Sequence, residues 1–210
     1  MESILKLIDP NLINGKRLAV VGAGDLTVPL LLARLFEPAG LDAIDTEIWR
    51  YTLSEVKDRA ADAGMNVYPL PDLTADSLIS TGATPWDVVF SCVYLEAVEH
   101  PLSLLETLSW FAADTLILKT HTSIESDLPV MASKMLTNRM DHAGVYWQIS
   151  GAALDSYMKF TGFYADSDLM AEVGGQAPPS GVRVGGLGNL GVAPQVRVKH
   201  GEYCKLWLKV

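Results

Sequence analysis

Gly22-Ala23-Gly24-Asp25 and the carboxylate of Asp45, 21 positions after Gly24, are the features of this sequence that point most directly to chemistry. The glycines fall between a short apolar run, residues 18–21 (LAVV), and a helical pattern that starts at Thr27. Glycine suits a place where the chain turns sharply and a ligand approaches its backbone. The helix that follows presents unpaired N–H groups and a partial positive charge. Asp45 ends a second strand-like run, where an acid can hold both hydroxyls of a ribose. These residues together predict a nucleoside-containing ligand lying across the carboxyl ends of the strands. A dinucleotide fingerprint wants a third small residue three positions after Gly24, and Thr27 stands there. A nicotinamide- or flavin-linked oxidoreductase therefore remains as an alternative with an imperfect match.

A second group of residues is a candidate for contact with a substrate. Of the four histidines, His100, His121, His142 and His200, only His121 falls just past the carboxyl end of a predicted strand. That edge is where substrates bind in open α/β sheets, so His121 is a candidate contact or general base. Glu96 is a carboxylate near the same mouth and a second catalytic candidate, with a solvated acid opening a helix as the plainer role. Tyr94, Tyr146 and Trp147 are candidates for the wall of an aromatic pocket, with core or lid packing as the plainer role. No His or Cys pair has metal-ligand spacing, so no metal site is expected. Cys92 and Cys204 lie far apart in strand-like runs and read as small buried hydrophobes in a reducing, cytoplasmic compartment.

These residues need elements to hold them, and the pattern supplies strands and helices in alternation. Strands are predicted at 18–21, 41–45, 66–70, 86–93 and 114–120, the clearest being WDVVFSCV at 86–93. Between them fall helices at 27–37, at 52–64 with a Thr52/Glu55 capping box, at 74–80, and one opened by Pro101. Leu102, Leu105, Leu108, Trp110 and Phe111 are expected to supply much of the last helix's buried face. The acidic residues at 125–127 read as a helix-opening cap. Ser150 is expected to cap a helix that Gly162 stops. Residues 195–200 and 203–209 alternate with period two around His200-Gly201-Glu202, which predicts a β-hairpin. The predicted fold is a single α/β domain over residues 1–210: a mostly parallel sheet of seven strands with an antiparallel C-terminal hairpin and helices on both faces. Residues 1–15 form a short lead-in, and the Gly- and Pro-rich residues 171–194 a loop suited to act as a lid.

Composition removes several other classes. With 25 acidic against 16 basic residues the net charge is −9, and the basic residues show no cluster beyond Lys16-Arg17 and the alternating Arg197 and Lys199. Such a surface argues against a nucleic acid partner. The sequence has no apolar run long enough for a membrane span. The first ten residues carry Glu2, Lys6 and Asp9 without a small-residue cleavage site, so no signal peptide is read there. An apolar fraction of 49% fits a well-filled core and leaves room for a homo-oligomer interface.

From about Lys16 onward the sequence resembles the class I S-adenosylmethionine-dependent methyltransferases. The segments that carry the resemblance are LAVVGAGDL (18–26), LDAID (41–45), the PLPDL segment ending at Asp72-Leu73, WDVVFSCVYLEAVEHPLSLLETL (86–108), the LILKT strand, and YWQISGAALDSYMKFTGF (146–163). The LEAVEHPLSLL stretch is also similar to members that include tRNA wobble-uridine modifying enzymes, although the acidic surface argues against tRNA. The resemblance implies S-adenosylmethionine as cofactor and methylation of a small molecule or a protein side chain. It implies that Gly22, Ala23 and Gly24 pass under the methionine part and that Asp45 takes the ribose hydroxyls with Thr46 beside it. Asp72 would accept from the adenine amino group, Leu73 would pack near the ring, and Ser91 and Cys92 would contact the methionine moiety. Two positions depart from the family's pattern. Val20 stands where an acidic residue usually orients the bound amino group, and Leu26 stands where a third glycine is usual. The first removes a carboxylate, which Asp25 would replace in part, and the second is expected to narrow the loop. These departures leave a non-methylating S-adenosylmethionine-binding protein as a further alternative.

Overall fold

The structure is a computed structural model that describes residues 2–46, 53–82, 85–135, 145–168 and 197–209. Its centre is a seven-stranded sheet. The strands are β1 (Arg17–Val21), β2 (Gly40–Asp45), β3 (Met65–Pro69), β4 (Trp86–Ser91), β5 (Ala112–Glu125), β8 (Phe163–Asp168) and β9 (Arg197–Lys209). They lie in the order β3-β2-β1-β4-β5-β9-β8. The first five pair in parallel, and β9 runs antiparallel to both of its neighbours. Two further strands, β6 (Met131–Met135) and β7 (Val145–Ile149), form a small antiparallel sheet that the sequence pattern did not anticipate.

Short apolar strands alternate their side chains between the two faces of the sheet, and both faces are covered. On one face Val20, Ala43, Phe90, Ile117 and Leu206 form a fully or nearly fully buried row. The N-terminal segment, with α1 (Glu2–Leu5), and α2 (Thr27–Leu35) cover it, and Leu5, Ile8 and Ile13 are buried there. The lead-in is thus part of the core. The other face carries Ala19, Val21, Ile44, Val89, Leu116, Leu118 and Trp207 beneath α4 (Ala75–Ser80), α5 (Pro101–Phe111) and α6 (Gly151–Phe160). The remaining helix is α3 (Leu53–Asp62). Of its predicted capping box only Glu55 falls within the described residues, as Thr52 lies outside them.

Three expectations are corrected. The C-terminal hairpin is a single strand, β9, and its antiparallel partners are β5 and β8. Gly201 is no turn: it pairs with Thr122, and the next pair, Ile124 with Val198, places one extra residue on β9. A glycine among polar residues suits a β-bulge as well as a tight turn, and here the bulge was chosen. In α5 the buried apolar residues are Pro101, Leu104, Leu105, Leu108 and Phe111, whereas Leu102 and Trp110 face solvent. The acidic residues at 125–127 open no helix; Glu125 ends β5 and a bend follows. The predicted loop at 171–194 lies outside the described residues. No helix among the described residues is long and apolar enough to cross a membrane.

At the heart of β2 sits a polar network that holds the strand leading to Asp45. The carboxylate of Asp42, 7% exposed, accepts from the Trp86 indole N–H at 2.6 Å and from the Asn66 amide at 2.8 Å. A buried donor stripped of its acceptor costs about 1–3 kcal/mol. Asp42→Ala is therefore expected to lower the unfolding free energy by about that amount. Asn66→Ala should cost less, because Trp86 keeps its acceptor. Urea denaturation of the two variants checks the order.

Candidate functional site at the carboxyl edge of the sheet

The loop between β1 and α2 is tied to β2 by three backbone donors. Gly22 and Ala23 donate to the carbonyl of Ile44 at 2.9 and 3.2 Å. The N–H of Gly24 donates to a carboxylate oxygen of Asp45 at 2.6 Å. Asp45, 7% exposed, is thereby joined to the glycine loop at the point where β1 and β2 end. The two glycines serve different needs. Gly22 has φ +78°, and a Cβ there would lie 2.9 Å from Val93 Cγ2 and 3.0 Å from the Val93 nitrogen. Gly24 has φ +52°, and no described residue lies within 4 Å of where its Cβ would be.

Leu26 adopts the left-handed conformation, φ +63°, that the usual glycine would take without strain. Its side chain is completely buried in the first core, so it leaves the loop unfilled and the expected narrowing does not arise. A left-handed L-residue costs about 1–2 kcal/mol, and burying a leucine returns about 1.5–3 kcal/mol. The packing covers the strain. Leu26 lacks a side-chain oxygen to cap α2, and Asp25 takes over that work by accepting from the Thr27 N–H at 2.9 Å. That hydrogen bond is the main reason the Asp25 carboxyl is held below the usual carboxylate range. Val20 is fully buried in the first core.

The other predicted ligand contacts surround this joint. Leu70, just after β3, donates to the backbone carbonyl of Asp45 at 3.0 Å. Two residues on, Asp72 is exposed and binds the start of α4, accepting from the Ser77 hydroxyl, from the Thr74 hydroxyl at 2.7 Å and from the Thr74 N–H at 3.2 Å. These bonds, the Ser77 one first, lower its carboxyl pKa. Leu73 is half-buried against the second core, and Thr46 is half-buried next to Asp45. Ser91 is buried at the end of β4, its hydroxyl accepting from the Val93 N–H at 3.4 Å. Cys92 donates its N–H to Val21 at 2.8 Å. Burial pushes its thiol up to about 12, against an opposing pull from the charge of Lys119.

The substrate candidates divide. His121 lies inside β5, opposite Glu202 of β9, because that strand continues to Glu125. It is nonetheless beyond the level at which β4 ends, since the last β4–β5 pair is Ser91 with Leu118. Tyr94, 57% exposed, stacks on its ring with centroids 4.5 Å apart and planes 15° apart. The turn carrying Tyr94 is fixed by the Leu95 N–H, which donates to the Thr120 hydroxyl at 3.0 Å. Glu96 holds the small sheet in place: the Ile149 N–H donates to its carboxylate at 3.1 Å. Trp147 does likewise, its indole N–H donating to the Glu99 carbonyl at 3.0 Å, with its ring against the second core. The side chain of Tyr146 lies outside the described residues. Lys119 and Glu202 went unnoticed in the sequence, although a lysine within LILKT, two positions before His121, is a signal in itself. Among the described residues no group of three or more His, Cys, Asp or Glu is placed to hold a metal ion.

No family model matches the chain, and no curated protein matches its sequence. Solved structures do resemble it. The magnesium protoporphyrin IX methyltransferase ChlM of Synechocystis PCC 6803 with bound S-adenosylhomocysteine gives a TM-score of 0.58 at 14% identity, over 99% of this chain and 80% of that one. An S-adenosylmethionine-dependent methyltransferase from Mesorhizobium loti gives 0.58 at 12% identity, over 99% and 96%. The N-terminal domain of EvdMO1, crystallised with S-adenosylhomocysteine and D-fucose, gives 0.60 at 13% identity, over 95% and 79%. The chain has the class I methyltransferase fold, a Rossmann-like α/β sheet with an antiparallel strand inserted next to its edge.

Two predictions test this geometry. Gly22→Ala must move Val93 as well as strain the backbone, whereas Gly24→Ala meets only its φ. Left-handed strain alone is about 1–2 kcal/mol, so the urea midpoint should fall distinctly further for Gly22→Ala. A thiol held protonated to about 12 has almost no thiolate at pH 8. Cys92 should therefore alkylate with iodoacetamide at least about a hundredfold slower in the folded protein than in urea, read by peptide mass spectrometry.

Proposed function

We propose that this protein is an S-adenosylmethionine-dependent methyltransferase acting on a small-molecule or protein acceptor and releasing S-adenosylhomocysteine. The observation that carries the reading is the joint between the Gly24 N–H and the Asp45 carboxylate, at the carboxyl edge of a sheet with β9 inserted antiparallel between β5 and β8. Several solved structures of this fold contain S-adenosylmethionine or S-adenosylhomocysteine. The residues present fit such a ligand. A nearly buried carboxylate ends β2, and no described residue lies within 4 Å of the place where a Gly24 side chain would stand. Asp45 would hold the ribose hydroxyls with Thr46 beside it, and Asp72 and Leu73 would meet the adenine. The glycine loop, Ser91 and Cys92 would surround the methionine part. The inserted strand argues against the nicotinamide- or flavin-linked alternative.

When bound, that cofactor supplies an electrophilic methyl group on a sulfonium. What the protein adds is alignment and exclusion of water, with a proton acceptor where the nucleophile needs one. We assign the last task to His121, at the carboxyl edge of β5 beyond the end of β4. Glu96 is held by Ile149 in a structural one. A specific observation favours a second reading, a non-methylating binder. Val20 leaves the amino end of the ligand without the usual carboxylate, and a [4+2]-cyclase, SpnF, shares the fold with a TM-score of 0.53 at 16% identity over 77% of this chain and 57% of that one.

Thermal unfolding with S-adenosylmethionine, S-adenosylhomocysteine, NAD, NADP and FAD tests the proposal. A ligand specific for the folded state at a hundred times its Kd adds about 2.7 kcal/mol. The two sulfur nucleosides alone should raise the midpoint. Asp45→Asn should weaken them by about ten- to a hundredfold, the value of one or two hydrogen bonds to a charged acceptor. A rise with a dinucleotide alone overturns the reading. Binding without transfer of labelled methyl to any component of a cell extract favours the non-methylating alternative.

A further inference from the structure

We infer that the ledge formed by Tyr94, His121 and Lys119 binds the acceptor, and that the acceptor is a planar aromatic anion. This deepens the methyltransferase reading and rests on it for the meaning of "acceptor", although the ledge itself is defined by this chain's own residues. Lys119 and His121 are two positions apart on β5 and so project from the same face of the sheet. The Lys119 side chain is only 13% exposed, and its ammonium lies 3.7 Å from a Glu202 oxygen. That separation is too long for a direct N–H···O hydrogen bond. The Glu202 side chain is 43% exposed. A cation so far removed from water wants a close, hydrogen-bonded counter-charge. The acid that usually stands at position 20 is a valine, so the first strand provides no carboxylate on this face.

The aromatic part of the inference comes from the ring pair. Tyr94 stacks nearly parallel on His121, and more than half of the tyrosine remains exposed. A planar ligand can continue that stack, as offset aromatic pairs favour. The Nε2 atom of His121 is buried and has no hydrogen-bond partner among the described residues. Beside Lys119 and His121, the titratable groups on this face are Glu202, Tyr94, Cys92, Cys204, which lies opposite Lys119 in the β5–β9 register, and Asp45, which acts with Lys119 on the Cys92 thiol. The Cys92 thiol stays neutral, so Lys119 supplies the local positive charge, with Glu202 and the more distant Asp45 carboxylate opposing it.

The test is a titration of the full-length protein with 4-hydroxybenzoate, its uncharged methyl ester and the cation tyramine, with and without S-adenosylhomocysteine. It is followed by the imidazole resonances of His121, assigned from their loss in His121→Gln. The acid is expected to shift them and to bind at least about tenfold more tightly than the ester or tyramine. Lys119→Met should remove the preference for the acid over the ester, while Glu202→Gln should strengthen acid binding. The second variant keeps the test decisive if Lys119→Met does not fold. Equal binding of the three probes, silence of His121 toward all of them, or indifference to both variants overturns the inference. The S-adenosylhomocysteine midpoint shift is read separately, so failure of the cofactor reading is distinguishable from failure of the ledge.

Discussion

The hydrogen bond from Gly24 to Asp45 fixes the rest of the carboxyl edge. It requires the loop after β1 to fold back over the end of β2, which in turn requires Gly22 to pass flat against Val93 at the end of β4. Those three strands are also linked in parallel register through Val20–Ala43 and Val20–Phe90. The position of a single carboxylate is thereby set by the buried interior of the sheet. A loop built this way is rigid, because its backbone donors are spent on the scaffold. The polar network at Asp42 extends the same control one turn of the pleat below, since it fixes β2 against the start of β4.

Leu26 shows how such a site tolerates a residue its backbone does not favour. The position keeps the left-handed geometry of a glycine and carries a side chain that belongs to the core. Packing and strain are of similar size, and packing is the larger. The cost falls on capping: α2 begins without an oxygen at its N-cap residue, and the neighbouring Asp25 supplies one. The negative charge that was expected to serve the ligand's amino group is thus committed to the helix.

What could be read in the sequence followed from how local each signal was. Strand β4 and the Ser150 cap of α6 rest on short runs whose chemistry has one good structural use, and both stand as expected. Gly201 and Leu102 misled because their use depends on distant partners. A bulge needs β5 alongside it, and a leucine in an apolar helix turns inward or outward according to the packing of the whole helix. The site divides in the same way. The glycine loop and Asp45 were legible because their spacing encodes a strand–turn–helix with an acid at the next strand end. Lys119 was hidden by its apolar neighbours, and Glu202 by the turn wrongly assigned to its segment. Their pairing is a matter of register between β5 and β9, which no spacing in the chain conveys.

Register also separates the two candidate bases. Glu96 follows β4 directly, and its carboxylate is drawn to an N–H at the end of β7, where the small sheet would otherwise leave a donor unmet. His121 is on a strand whose backbone hydrogen bonds go to β9, so its side chain is not needed for the sheet to form. Tyr94, held by the bond from Leu95 to Thr120, fixes the plane of the imidazole without using either of its nitrogens. A ring held by stacking spends no nitrogen on being held, whereas a carboxylate held by a hydrogen bond gives part of its acceptor capacity to structure. By that criterion His121, on the edge of β5 beyond the reach of β4, is the less committed of the two side chains.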